Sequence, residues 1–66
     1  MTIIINGEKK QIEENATIAS VLECLGYADR KIAIALNTTF VPRSHYATTS
    51  IQEGDEIEIV APQQGG

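Results

Sequence analysis

Apolar side chains recur along this chain with two different periods, and each change of period marks a new element. Thr2-Ile3-Ile4-Ile5 is β-branched throughout. Branching at Cβ suits a pleated backbone, so the run predicts a strand. Asn6-Gly7 follows, a strong hairpin signal because both central residues of a primed two-residue turn need positive φ. Residues 9–13 are the predicted returning strand, with Ile12 its main apolar contact. The period then lengthens. Ile18, Val21, Leu22 and Leu25 stand at i, i+3, i+4 and i+7, which a helix gathers into one stripe. Thr17 offers an N-cap oxygen, and Gly26 suits the left-handed position just past a helix end. Such a short helix is marginal alone, so its stripe must pack on a neighbour, and the hairpin is the nearest apolar surface.

Residues 32–36, Ile-Ala-Ile-Ala-Leu, are a continuous apolar run of strand length, closed at once by Asn37 and Thr38. Phe40-Val41 is a short extended piece stopped by Pro42, which has no N–H for a sheet ladder. Residues 43–50 read as irregular, with room for one helical turn. Gly54-Asp55 is a turn. Glu56-Ile57-Glu58-Ile59-Val60 then alternates as a half-exposed strand does, and Pro62 ends it. The order strand, strand, helix, strand, short strand, strand predicts a two-layer α+β domain. Its mixed sheet would have the first and last strands parallel at its centre and one helix over one face. The predicted domain spans residues 1–62, and residues 63–66 are a flexible Gly-Gly tail.

Strand alternation also assigns faces. Ile3, Ile5, Ile34, Ile57 and Ile59 are predicted to meet the helix stripe. Ile4 and Val60 then point outward with Glu58, and the two apolar residues would share an exposed patch suited to partner docking. The plainer reading is two scattered surface apolars, which need no explanation.

Composition narrows the chemistry. With 66 residues and a formal charge of -4, the chain forms one domain. A chain this short buries only about 60% of its unfolded surface, so it has little interior to enclose an active site. One cysteine (Cys24) and one histidine (His45) allow neither an internal disulfide nor a zinc site, and stability must come from an apolar core. The acidic balance argues against non-specific nucleic-acid binding. No apolar run has membrane-spanning length, and no charged-then-apolar signal segment opens the chain. These features predict a cytoplasmic protein, monomeric when free, with a reduced Cys24.

Cys24 lies at the border of the helix stripe beside Glu23. A reactive thiol wants cationic neighbours, so Cys24 reads as a small packing residue. His45 has no acid or nucleophile partner in the sequence and reads as a surface loop residue. Arg43 is either a partner contact or a solvated loop arginine. Glu53, Asp55, Glu56 and Glu58 form an acidic stretch before the tail, read first as a solvated edge and second as a steering field for basic partners. No acid–base or nucleophile constellation is present, and no catalytic residue is assigned.

That leaves the end of the sequence, Gln63-Gln64-Gly65-Gly66. Glycine has no Cβ and adopts backbone angles closed to other residues. A carboxylate on such a tail can thread a narrow channel into another protein's active site. Gly66 is therefore the candidate reactive group and Gly65 the residue that lets the tail pass. The plainer alternative is a frayed end.

The motifs decide between them. Phe40-Val41-Pro42-Arg43, then Gly54-Asp55-Glu56-Ile57-Glu58-Ile59-Val60, then Pro62 and Gln64-Gly65-Gly66, resemble the ThiS family, the sulfur carriers of thiamin biosynthesis. The resemblance covers essentially the whole chain, with one departure at Gln63, where an apolar residue is more usual. It implies the ubiquitin-like β-grasp fold. It also implies that a partner of the ubiquitin-activating type, using ATP and magnesium, adenylates the terminal carboxylate. A sulfur donor on a cysteine desulfurase route then converts it to a thiocarboxylate, and thiazole synthase accepts that sulfur. The carrier would be a protein co-substrate with no intrinsic cofactor or metal. Two alternatives stay open: the small subunit of molybdopterin synthase, which shares fold and thiocarboxylate, and a ubiquitin-like modifier or interaction module.

Overall fold

The computed structural model describes residues 1–27 and 30–61. β1 (Thr2–Ile5) turns back through Asn6 and Gly7, at φ 50° and 85°, into β2 (Glu8–Gln11). A two-residue loop forces the return to begin opposite Ile5, so β2 starts at Glu8, one residue earlier than predicted, and ends before Ile12. Ile12 still continues the ladder, its N–H donating to the Met1 carbonyl at 2.9 Å, and it packs on the core as expected.

α1 (Ile18–Leu25) begins as predicted at Thr17. The Ser20 N–H donates to Thr17 Oγ1 at 3.2 Å and the Thr17 N–H to Ser20 Oγ at 2.9 Å, so two otherwise orphaned donors are satisfied reciprocally. Gly26 closes the helix in the left-handed region at φ 86°, where a side chain would be strained. β3 (Ala33–Leu36) and β4 (Thr39–Val41) form a second hairpin through Asn37 and Thr38. Pro42 leads into a single 3₁₀ turn, Arg43–His45, the helical turn for which the sequence had room. β5 (Glu56–Val60) completes one five-stranded sheet in the order β2-β1-β5-β3-β4. β5 lies at the centre, parallel to β1 and antiparallel to β3.

The helix-facing side carries the core. Ile3, Ile5, Ile34, Ile57 and Ile59 are buried with Ile18, Val21 and Leu22, as alternation predicts. Two expectations need correction. Leu25, assigned to the stripe, is 40% exposed. As the last helical residue it borders grooves beside Ile5 rather than the middle of the sheet. Cys24, read as a packing residue, is exposed, because it sits roughly 110° around the helix from the centre of the stripe. Ala16 and Ile51 are core residues that periodicity did not reveal. Each is an isolated apolar residue in a polar loop, and the Ile51 N–H donating to the Ala16 carbonyl at 2.9 Å brings the two loops together.

Candidate functional site

The side of the sheet away from α1 has no covering layer among the described residues. Register lays out its surface. Ile4 is opposite Glu56 on β5. Further along β5, Glu58 is opposite Ala35 and Val60 opposite Ala33. Ala35 in turn is opposite Phe40 on edge strand β4. Val60 is 60% and Phe40 65% exposed. Ile4 and Val60 therefore point to the same face as predicted, but they do not share one patch. They lie about 13 Å apart along the strand direction, with Glu56 level with Ile4 and Glu58 between the two. Ala33 is the apolar residue opposite Val60, with Ala35 diagonal to it, and Phe40 lies beyond Ala35 in the cross-strand row of Glu58. The sequence assigns Phe40 no face, because its run is short and ends at a proline. Its pairing with Ala35, which alone sets its face, is a tertiary fact.

β5 leads directly toward the tail, and its far end is held in an unusual way. The parallel ladder with β1 runs from the Ile4 N–H to the Asp55 carbonyl and from the Asn6 N–H to the Ile57 carbonyl, both at 2.9 Å. The main chain then leaves the ladder for the hairpin turn. The Asn6 side chain takes over: Oδ1 accepts from the Ile59 N–H at 2.8 Å and Nδ2 donates to the Ile59 carbonyl at 3.3 Å. An amide side chain replaces the missing peptide group and keeps β5 paired on both edges up to Ile59. This is possible because asparagine tolerates the left-handed backbone that the turn demands. The sequence marks Asn6 as a turn residue, and nothing in it signals this second role.

The other candidate residues divide. Within the acidic stretch, Glu53 accepts from the Thr2 N–H at 2.9 Å, and Asp55 accepts from the Gln52 N–H at 2.8 Å. These two carboxylates order turns, while Glu56 and Glu58 project from the open face. His45 is exposed in the 3₁₀ turn, as expected, and its main-chain carbonyl, not its ring, accepts from Thr49 Oγ1 at 2.7 Å. Arg43 is exposed at the start of that turn. Among the described residues no group of His, Cys, Asp or Glu could hold a metal ion, and no helix is long and apolar enough to cross a membrane. Gly65 and Gly66 lie outside the described residues.

A mixed five-stranded sheet wrapped over one helix, with its last strand central and leading to a Gly-Gly tail, defines the ubiquitin-like β-grasp class. The crystal structure of the thiamine biosynthesis protein ThiS from Geobacter metallireducens superposes with a TM-score of 0.86 over 100% of both chains. At 23% identity that likeness speaks for the fold alone. The sequence profile of the ThiS family matches residues 3–66. Sulfur carrier protein ThiS of Escherichia coli strain K12 is 32% identical over 66 residues, covering 100% of each chain. The chain belongs to the ThiS family. It is also similar to proteins named thiazole synthase, at 39% identity in Paramagnetospirillum magneticum and 38% in Magnetococcus marinus, over 100% of this chain. The chain spans 20% of the length of those two relatives.

Proposed function

We propose that this protein is a sulfur carrier for thiazole formation in thiamin biosynthesis, with the carboxylate of Gly66 as the sulfur-bearing group. The observation that carries the reading is that the family match extends through Gly66, on a tail that comes after the central strand of the sheet. The thiazole synthase relatives support the acceptor: there, a stretch similar to this whole chain belongs to the same polypeptide as the synthase.

The chemistry is that of the terminus. A carboxylate is a poor electrophile. Its oxygen attacks the α-phosphorus of ATP in the partner's site, pyrophosphate leaves, and the acyl adenylate carries a good leaving group. The terminal sulfur of a persulfide donor then displaces AMP to give an acyl disulfide, and a thiol reductant cleaves its S–S bond, leaving the thiocarboxylate on Gly66 and a disulfide between donor and reductant. Magnesium and phosphate-binding groups of the activating partner stabilise the charge that develops. Glycine at 66 leaves the carbonyl unhindered, and glycine at 65 lets the chain pass close walls. The folded domain acts as a co-substrate in the cytoplasm. Its open sheet face, with Val60 and Phe40 toward the tail end and Ile4 further back, is the docking surface, and apolar contact of this kind gains by shedding water.

The decisive experiment is intact-mass analysis after incubation with a ubiquitin-activating-type enzyme, ATP, magnesium, a persulfide donor and a thiol reductant. The mass should rise by one oxygen-to-sulfur exchange, and fragmentation should place it on the Gly66 carboxyl group. Deleting Gly66 should abolish the gain. The loaded protein should support thiazole formation by thiazole synthase and leave a molybdopterin precursor unsulfurated. An amide between Gly66 and a target lysine, with no sulfur gained, would replace this reading with the modifier one.

A further inference from the structure

The chain contains two arginines and two tyrosines, and the fold brings all four to one recess of about 100 Å³ beside the tail end of the sheet. They come as two pairs, each three residues apart and each pinned by a backbone turn. The Arg30 N–H donates to the Tyr27 carbonyl at 3.0 Å, and the Tyr46 N–H to the Arg43 carbonyl at 3.1 Å. The second pair is anchored to α1, because the Ala19 N–H donates to the Tyr46 carbonyl at 3.0 Å. Both rings are half-buried against the core, and Leu22 and Ile32 complete the walls. Ile32 precedes Ala33, the residue opposite Val60, so the recess adjoins the strand end from which the tail leaves.

Both arginines are exposed at the recess, where an anion held between them would offset their mutual repulsion. Among the described residues the ion pairs join Met1 to Glu14 and Lys10 to Glu8, and neither arginine takes part. No described side-chain hydrogen bond uses either tyrosine hydroxyl. In a protein of net charge -4, two arginines and two tyrosines lining one recess supply the donor types that an oxyanion site uses. Its volume suits a single carboxylate or phosphate head. A nucleotide needs a pocket of at least roughly 300 Å³.

We infer that this recess receives one acidic side chain of the protein that docks at the tail end, so that the tail is delivered in a fixed direction. The partner assignment rests on the carrier reading above. The recess as an oxyanion site does not. The recess lies on the α1 side of the sheet and Val60 on the open side, so a partner that receives the tail and wraps the sheet end meets both. The arginines act by positioning and touch no reacting atom.

Two experiments test the two halves. In the first, sodium acetate is titrated against sodium chloride at constant ionic strength, and the Arg30 and Arg43 Nε–H and the tyrosine ring signals are followed by NMR. One saturable transition common to both arginines is expected, lost at Arg30 when Arg43→Gln is made. Shifts that stay linear, or that persist in Arg43→Gln, would overturn the site. In the second, adenylation by the activating enzyme is followed by pyrophosphate release. Arg43→Gln and Arg30→Gln should each raise the KM for the carrier by about three- to tenfold, as loss of a charged contact at an interface does, with kcat unchanged. Arg43→Lys should recover part of the loss, and a weaker salt dependence should accompany the Gln variants. Unchanged KM in both Gln variants, with acetate or inorganic phosphate still bound by the wild type, would make the recess a free-anion site and overturn its assignment to a partner. A wild-type carrier that is not adenylated at all would sink the functional reading and the partner together, while the acetate titration, being independent of both, would still decide the recess.

Discussion

The two tight hairpins grip the central strand from opposite sides and at opposite ends, and both use asparagine. Asn6 and Asn37 each have φ 50° at the first position of a two-residue loop. Each sends its amide to the backbone of β5. Asn37 Oδ1 accepts from the Glu56 N–H at 2.9 Å, near the start of the strand, and Nδ2 donates to Asp55 at 3.0 Å. Asn6 holds Ile59, near the end. The hairpins differ at the second loop position. Gly7 takes φ 85° with no penalty, whereas Thr38 takes φ 72°, an uncommon conformation for a β-branched residue. They differ also in burial: the Asn6 bonds are partly buried and the Asn37 bonds exposed. The tail end of β5 is thus held by the better-protected clamp and the relaxed turn. One physical account is that a carrier must keep its last strand paired while a partner pulls on the tail.

The largest expected effect comes from removing the clamps. Asn6→Gly keeps the left-handed backbone and removes only the amide, leaving the Ile59 N–H and carbonyl unpaired on the β1 side. It should cost about 1–3 kcal/mol, the range for partly buried groups that lose their partners. Asn37→Gly should cost less, about 0.5–1.5 kcal/mol, because water can replace exposed bonds. Urea unfolding gives both numbers, and amide exchange adds a local readout: Ile59 should exchange faster than the rest of β5 only in Asn6→Gly. Equal costs for the two variants would break the comparison.

Exchanging the second turn residues sharpens it. Gly7→Thr should destabilise by about 1–2 kcal/mol, the cost of a left-handed L-residue. A Cβ there meets nothing within 4 Å, so any loss is a backbone effect rather than a clash. In the opposite direction, Thr38→Gly should stabilise by about 1 kcal/mol as the same strain is relieved, less the added freedom of the unfolded chain. Thermal denaturation of the pair should show shifts of opposite sign. A loss in Thr38→Gly would mean the Thr38 turn carries no strain.

The smallest stability effect is expected beyond the Asn6 clamp, at the open face. Val60→Asp should change folding free energy by no more than about 0.5 kcal/mol, as exposed substitutions do, yet weaken docking by the cost of desolvating a charge. The KM for the carrier in adenylation should rise while the unfolding curve stays put. Since Ile4 lies further back along the sheet and Phe40 nearby, Phe40→Asp should act like Val60→Asp and Ile4→Asp less strongly. Identical effects at all three positions would reject a patch centred on Val60.

Much of this molecule was legible in advance because its signals are local. A strand of three isoleucines, an Asn-Gly turn, a capped stripe at helical spacing and a strand of strict alternation each depend on neighbours in sequence. So does the Gly-Gly tail, whose chemistry needs only the last residues and whose family motifs are contiguous. What periodicity could not supply were the places where distant segments meet: the Ala16–Ile51 contact, the exposure of Leu25 and Cys24 at the helix margin, and the separation of Ile4 from Val60.

The sequence alone determined the order of the elements, which faces of β1 and β5 are apolar and which end carries the candidate reactive group, because backbone propensity and side-chain alternation act over a few residues. Only the tertiary structure decided strand register, which sets Phe40 beside Ala35 and turns the Asn6 amide into the last rung of a ladder, and the packing of the 3₁₀ turn on α1, which brings two arginine–tyrosine pairs to one recess. Those three arrangements join residues far apart in the chain, and packing α1 against one particular alignment of β1, β5 and β3 is what selects them.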